Sequence, residues 1–224
     1  MTGPSDPSRG GLSRTSRVAS LLRWFFAHLY TTIAWAYDAV AWLSSFGQWS
    51  RWRRTGLDRV STGARWLEIG YGTGHLLREA LARGDRAVGI DASRQMARIT
   101  ARRLRRFGLP AVAVRARLEG LPFPAGCFEA EVATFPSEVI LDRAALREAR
   151  RVLAPGARLT VVLMVHIRPR FVWERLTRLL YSLTGESRAL EERWLAPFVE
   201  AGFGARFESV DVPGASVLHI VAEA

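Results

Sequence analysis

The chain has 224 residues, with 32 basic side chains against 21 acidic ones and a formal net charge of +11. That length and a 49% hydrophobic content exclude a mostly disordered chain, a collagen-like repeat and a small disulfide scaffold. Cys127 is the one cysteine, which excludes an internal disulfide and a cysteine-based metal cluster. Every basic residue is Arg, and the charge is uneven. Residues 1–118 carry 20 Arg against 7 acids, whereas residues 119–224 carry 12 against 14.

Residues 1–17 are rich in Ser, Gly, Pro and Arg without apolar periodicity, and read as a disordered tail. The stretch 18–60 is different in kind. Its part from Val18 to Trp52 holds five of the eight Trp residues. The uncharged run Trp24–Tyr37 is fourteen residues, short of the ~20 that a spanning helix needs. It is also too long and aromatic for a signal peptide, with His28 and Asp38 inside the segment. Two cytoplasmic helices are expected, forming either a lid on the domain or a segment lying on a membrane surface.

From residue 61 onward short apolar runs alternate with helical patterns. Strands are expected at Arg65–Ile69, Ala87–Ile90, Ala111–Ala116, Glu129–Phe135, Arg158–Val165, Arg206–Val212 and Val217–Ala222. Helices are expected at Thr73–Ala82, Ser93–Phe107, Ala144–Leu153 (ended by Pro155-Gly156), Arg170–Ser182 and Arg188–Ala201. This alternation predicts an α/β domain over 61–224. Its sheet is doubly wound, seven-stranded, mostly parallel and Rossmann-like. The last two strands lack an intervening helix and should form an antiparallel hairpin.

The sharpest motif is WLEIGYGTGHL at Trp66–Leu76. A strand runs into Gly70-Tyr71-Gly72-Thr73-Gly74 and then into a helix. Glycines let the backbone turn sharply and let a ligand approach it. The spacing is G-x-G-x-G, whereas a dinucleotide site wants G-x-G-x-x-G. Glu68, two residues before the first glycine, suits an ammonium group and would sit poorly beside a pyrophosphate. Asp91 ends the next strand, where a carboxylate can accept hydrogen bonds from both hydroxyls of a ribose. A ribose, an amine and no phosphate describe S-adenosylmethionine.

With these pieces in order, the chain resembles the class I S-adenosylmethionine-dependent methyltransferases, and within them the ubiquinone/menaquinone group. The likeness runs through LEIGYGTG, VGIDAS with Met96 after it, LEGLPFPAGCFEAEVATF and LREARRVLAPGARLTVV. It implies methyl transfer to a small or lipid-like acceptor. The implied cofactor contacts are Glu68, Gly70, Tyr71, Gly72, Gly74, Asp91, Ala92, Met96, Arg117, Leu118 and Phe135. Tyr37 and Asp38 resemble a Tyr-Asp that such enzymes place over the cofactor. Two departures stand out. Arg117 occupies the place of an acid that binds the adenine amino group, with Glu119 two residues on. Pro136-Ser137-Glu138 stands where the family often shows a His pair.

Glu138, His166 and Tyr37 are the candidate catalytic groups; the sequence assigns no metal ligands. His75 and His219 read as structural, and Cys127 as a buried thiol. Six Arg between Arg94 and Arg106 crowd one helix. They form either a solvated face or a contact for anionic membrane, and no nucleic-acid motif accompanies them. The competing functional readings are a nucleotide-binding oxidoreductase and a non-catalytic S-adenosylmethionine-binding protein. The sequence leaves the acceptor and the oligomeric state open.

Overall fold

The computed structural model describes residues 48–167 and 194–224. The expected tail, Tyr37, Asp38 and the helix at Arg170–Ser182 lie outside the described residues. The element order is α1 (Trp49–Leu57), β1 (Arg65–Ile69), α2 (His75–Ala82), β2 (Arg86–Asp91), α3 (Arg94–Arg106), β3 (Ala113–Arg115) and β4 (Phe128–Thr134). A 3-10 turn (Glu138–Leu141), α4 (Arg143–Val152) and β5 (Leu153–Ile167) follow. Residues 194–200 are helical (α5), and β6 (Gly204–Val212) and β7 (Ala215–Glu223) complete the chain.

The seven strands form one sheet in the order β3-β2-β1-β4-β5-β7-β6. β1 pairs in parallel with β2 and β4, β2 with β3, and β4 with β5. β7 runs antiparallel to both β5 and β6. This is the expected Rossmann-like sheet with its terminal hairpin. The hairpin turns on Pro213-Gly214, with Gly214 at φ 80°. Pro presets the first central position of a type II turn, and a positive φ is what its second position needs.

Central parallel strands are covered on both faces, so they read as near-continuous apolar runs. In β1 the four residues after Arg65 are all buried, Glu68 included. On one face Leu67, Leu159, Val161, Leu146, Ala149 and Phe198 pack the sheet against α4 and α5. On the other, Trp66, Leu76, Leu77, Met96 and Leu104 pack it against α2 and α3. Burying each Leu of these clusters contributes ~1.5–3 kcal/mol.

α1 is part of this second layer. A Cβ placed on Gly56 would meet side-chain carbons of Val132 and Val162 at 2.9 Å, so the helix backbone presses directly on the sheet. Thr55 Oγ1 donates to the Trp52 carbonyl at 2.7 Å and lies 2.8 Å from His219 Nε2. His219 is fully buried, and burial pushes its pKa down to about 4, so it is neutral and structural.

Several boundaries differ from the sequence reading, each for a local reason. α2 starts at His75 because Thr73 and Gly74 still belong to the turn, with Gly74 at φ 74°. Ser93 caps α3 from outside, accepting a hydrogen bond from the Met96 N–H at 3.3 Å. β3 shrinks to Ala113–Arg115 because Val112 N–H bonds back to the Pro110 carbonyl in a turn. Pro155-Gly156 do not end α4. That helix stops at Val152, and Leu153 already pairs with Phe128, leaving Pro155-Gly156 in an irregularity between this pair and Ala130↔Arg158.

Candidate functional site

The strand order reverses at β1, which lies between β2 and β4. In open α/β sheets the crevice outside the carboxyl ends of the strands at such a point is where ligands bind. The glycine turn sits there. Gly70 and Tyr71 N–H groups donate to the Ile90 carbonyl at 2.8 and 3.1 Å, fastening the end of β1 to β2.

The three glycines of the turn differ in purpose. All have positive φ: 73° at Gly70, 52° at Gly72 and 74° at Gly74. A Cβ on Gly70 or Gly72 would meet nothing within 4 Å, so the backbone borders open space. A Cβ on Gly74 would lie 2.4 Å from Thr100 Cγ2, so this glycine serves helix packing. α3 clamps the turn further. Thr100 Oγ1 donates to the Gly72 carbonyl at 2.9 Å, and Arg103 donates to the Thr73 carbonyl. The sequence marks Thr100 only by its inward position on an amphipathic helix, and it groups Arg103 with the outward Arg face, from which this hydrogen bond separates it.

Asp91 closes the ring. Its Oδ2 accepts from Gly72 N–H at 2.9 Å and its Oδ1 from Ser93 N–H at 2.8 Å. Burial raises its pKa, and the two backbone hydrogen bonds oppose that rise. Each carboxylate oxygen keeps a lone pair for a further donor.

Glu68 is 2% exposed, and its Oε2 has no hydrogen-bond partner. Burial pushes its pKa up to about 8, against the opposing charge of Arg53 on α1; nearby Asp91 adds to the rise. Arg53 was also not read from the sequence, since nothing there shows that α1 packs on β4 and β5, next to β1. A buried acid with one orphaned oxygen beside an open glycine cradle fits a ligand carrying a cation. This is the property of the donor set that suits the ammonium end of S-adenosylmethionine.

The remaining expected contacts divide. Ala92 is exposed beside Asp91. Tyr71 and Met96 are buried in the cluster under α2 and α3, so their side chains pack the core. Tyr71 does sit near the acids: burial raises its pKa most, and the charges of Asp91 and Glu68 add to that. Leu118 is buried on the opposite face. The exposed Arg117 guanidinium donates to Glu119 Oε1 at 2.8 Å, so the residue that departs from the resembled pattern pairs with the acid two residues on.

At the end of β4, Phe135 holds φ 48°, the one non-glycine positive φ among the described residues. Its ring stacks on Trp49 of α1, with centroids 4.3 Å apart and planes 27° from parallel. Trp52 meets Trp49 edge-on at 6.3 Å. These rings form an aromatic wall beside the carboxyl ends of β4 and β5. Glu138, at the start of the 3-10 turn, and His166, near the end of β5, are exposed at the same edge of the sheet. Cys127 stands apart, its thiol pKa raised by burial. Among the described residues no cluster of three His, Cys, Asp or Glu could hold a metal ion.

This fold, with this glycine turn and its two acids, defines an S-adenosylmethionine-binding domain of class I type. Residues 67–156 match the family model described as a methyltransferase domain. The chain is 37% identical over 139 residues to a demethylmenaquinone methyltransferase of Thermus thermophilus, covering 60% of this chain and 63% of that protein. It is 32% identical over 167 residues to one from Tropheryma whipplei, covering 69% of each. Among solved structures, the geranyl diphosphate C-methyltransferase of Streptomyces coelicolor superposes with a TM-score of 0.57 at 16% identity. That match covers 78% of this chain and 80% of that one, and was solved with geranyl diphosphate and S-adenosyl-L-homocysteine. The chain belongs to the S-adenosylmethionine-dependent methyltransferases of the ubiquinone/menaquinone type. The first of these relatives is matched over less than two thirds of its length.

Proposed function

We propose that the protein transfers a methyl group from S-adenosylmethionine to a small, apolar, lipid-like acceptor by in-line displacement. The observation that carries the acceptor class is the Trp49–Phe135 stack, an aromatic wall where the acceptor would lie. Two comparisons support it. The relatives are named for demethylmenaquinone, and the structural neighbour for geranyl diphosphate, both with isoprenoid chains.

The cofactor supplies a methyl group already activated on a sulfonium, so the protein's task is alignment and exclusion of water. Glu68 would pair with the ammonium end and Asp91 with the ribose hydroxyls, with Gly70 and Gly72 letting the ligand lie against the backbone. Trp49 and Phe135 would hold an apolar acceptor and keep water from the transfer path. An acceptor that must shed a proton would pass it towards Glu138 or His166, the titratable groups at the ends of β4 and β5.

Incubation with S-adenosylmethionine labelled on the methyl, in the presence of an isoprenoid hydroquinone or of a water-soluble phenol, tests the reading. Label is expected in the solvent-extracted isoprenoid. Label only in the soluble phenol overturns the acceptor class. Cofactor binding with no transfer to either favours the non-catalytic reading instead.

A further inference from the structure

α3 carries six Arg and no acid. At 100° per residue, Arg94, Arg98, Arg102, Arg105 and Arg106 fall within roughly 120° of arc along roughly 18 Å of helix. All five are exposed, and none has a carboxylate within 4 Å among the described residues. Arg103 points the other way, to the glycine turn. The contrast with α4 is direct. There Arg143 pairs with Glu200 at 2.5 Å, Arg151 with Glu148 at 2.8 Å, and Arg150 donates to the Gly202 carbonyl at 2.9 Å. The stripe on α3 therefore has its like charges side by side and nothing of its own to neutralise them.

Phe107 ends α3 but falls at roughly 220° on the same count, on the far side of the helix from the stripe, with the guanidinium of Arg78 4.8 Å from its ring centre. A row of cations on one exposed face matches the phosphate layer of an anionic bilayer. Duplex nucleic acid would satisfy the cations too, but no nucleic-acid motif accompanies them and no aromatic residue interleaves with them. Trp52 is buried and Trp49 is stacked on Phe135, so these two Trp are committed to the domain.

We infer that the Arg94–Arg106 face of α3 docks the protein on an anionic lipid surface. This adds a partner to the apolar-acceptor reading. Its test contains no acceptor, so failure here is distinct from failure there.

The test is co-sedimentation of the full chain with phosphatidylcholine vesicles, with and without one-third phosphatidylglycerol. The variants are R98S/R102S/R105S/R106S on the stripe and R143S/R147S/R150S/R158S on α4 and β5, which remove the same charge. An Arg near an anionic surface contributes ~1 kcal/mol, or ~5-fold in partition. Wild type and the α4–β5 variant should bind anionic vesicles at low salt, and high salt should release them. The stripe variant should bind at least about ten-fold less while keeping its cofactor affinity. The double variant R98S/R102S guards against four changes disturbing folding; it should weaken binding several-fold at unchanged melting temperature. Wild type remaining in the supernatant overturns the inference. So does equal loss in both four-fold variants, which would reduce the effect to net charge. Duplex DNA binding that survives salt sufficient to strip the vesicles would assign the stripe to nucleic acid, and overturns it too.

Discussion

The Asp91 carboxylate accepts a hydrogen bond from the backbone N–H of Gly72 at 2.9 Å, joining the end of β2 to the middle of the glycine turn. One side chain thus shapes the turn and keeps lone pairs free on the side where a ligand would lie. Asp91→Ala removes both contributions. Loss of a charge-assisted hydrogen bond costs ~1.5–3 kcal/mol, so affinity for S-adenosylmethionine should fall roughly 10- to 100-fold. Titration calorimetry measures this directly, and unchanged affinity would remove Asp91 from the site.

If Glu68 pairs with the cofactor's ammonium as proposed, binding is a proton-linked event. Its pKa of about 8 in the free protein, against 4.5 ordinarily, leaves the carboxyl mostly protonated at neutral pH. A bound ammonium favours the charged form and lowers that pKa, so binding expels a proton. Affinity should therefore rise with pH towards about 8 and fall above it, where the ligand's α-ammonium itself loses its proton. The sign for folding is opposite. Because the folded pKa is raised, this group's contribution to stability is full below about 4.5 and is lost as pH rises through about 8. Calorimetry at pH 7 in two buffers of different ionisation enthalpy should show proton release approaching one per site. Glu68→Gln should abolish both the release and the slope; a slope that persists means another group titrates.

The glycines of the turn should separate folding from binding. Gly74→Ala combines a left-handed backbone with a contact at 2.4 Å to Thr100. Left-handed strain costs ~1–2 kcal/mol and overpacking ~1–3 more. Gly70→Ala keeps the strain, at φ 73°, but meets open space. Thermal melts should show the larger loss at Gly74, whereas the variant at Gly70 should lose cofactor affinity out of proportion to its stability. Equal effects on both measurements at both positions would contradict this division.

The elements that positioned this site were legible because their signals are local. β1 was read to the residue from its apolar run, and the G-x-G-x-G turn with Glu68 and Asp91 set the ligand chemistry. What was not legible depends on distant packing. Thr100 and Arg103 act on the turn from 28 and 30 residues away. Tyr71 and Met96 sit inside the ligand motifs, yet their side chains face the core. Pro155-Gly156 reads as a stop, but the adjacent β4 recruits Leu153 into pairing before that signal acts. Glu131 interrupts an apolar strand in a way that sequence alone could not classify.

Glu131 lies in mid-β4, fully buried, with Leu67 and Leu159 as its register neighbours. Neither of its carboxyl oxygens has a hydrogen-bond partner. Burial raises its pKa well above the ordinary carboxylate range, so the folded state holds the neutral acid. An unsatisfied buried polar group costs ~1–3 kcal/mol. Glu131→Leu replaces it with a side chain of similar size whose neighbours are already leucines. The variant should be more stable by that amount, raising the melting temperature by ~2–4 °C per kcal/mol for a chain of this length. The pH dependence supplies the sharper criterion. A raised carboxyl pKa means that stability is full below about 4.5 and declines as pH rises, because the unfolded chain releases a proton that the folded chain retains. The advantage of Glu131→Leu should therefore be larger at pH 8 than at pH 5. Melting curves at the two values decide it. A variant less stable than wild type at pH 8 would mean that the carboxyl holds the core together through a partner, and that its retention in the strand is structural.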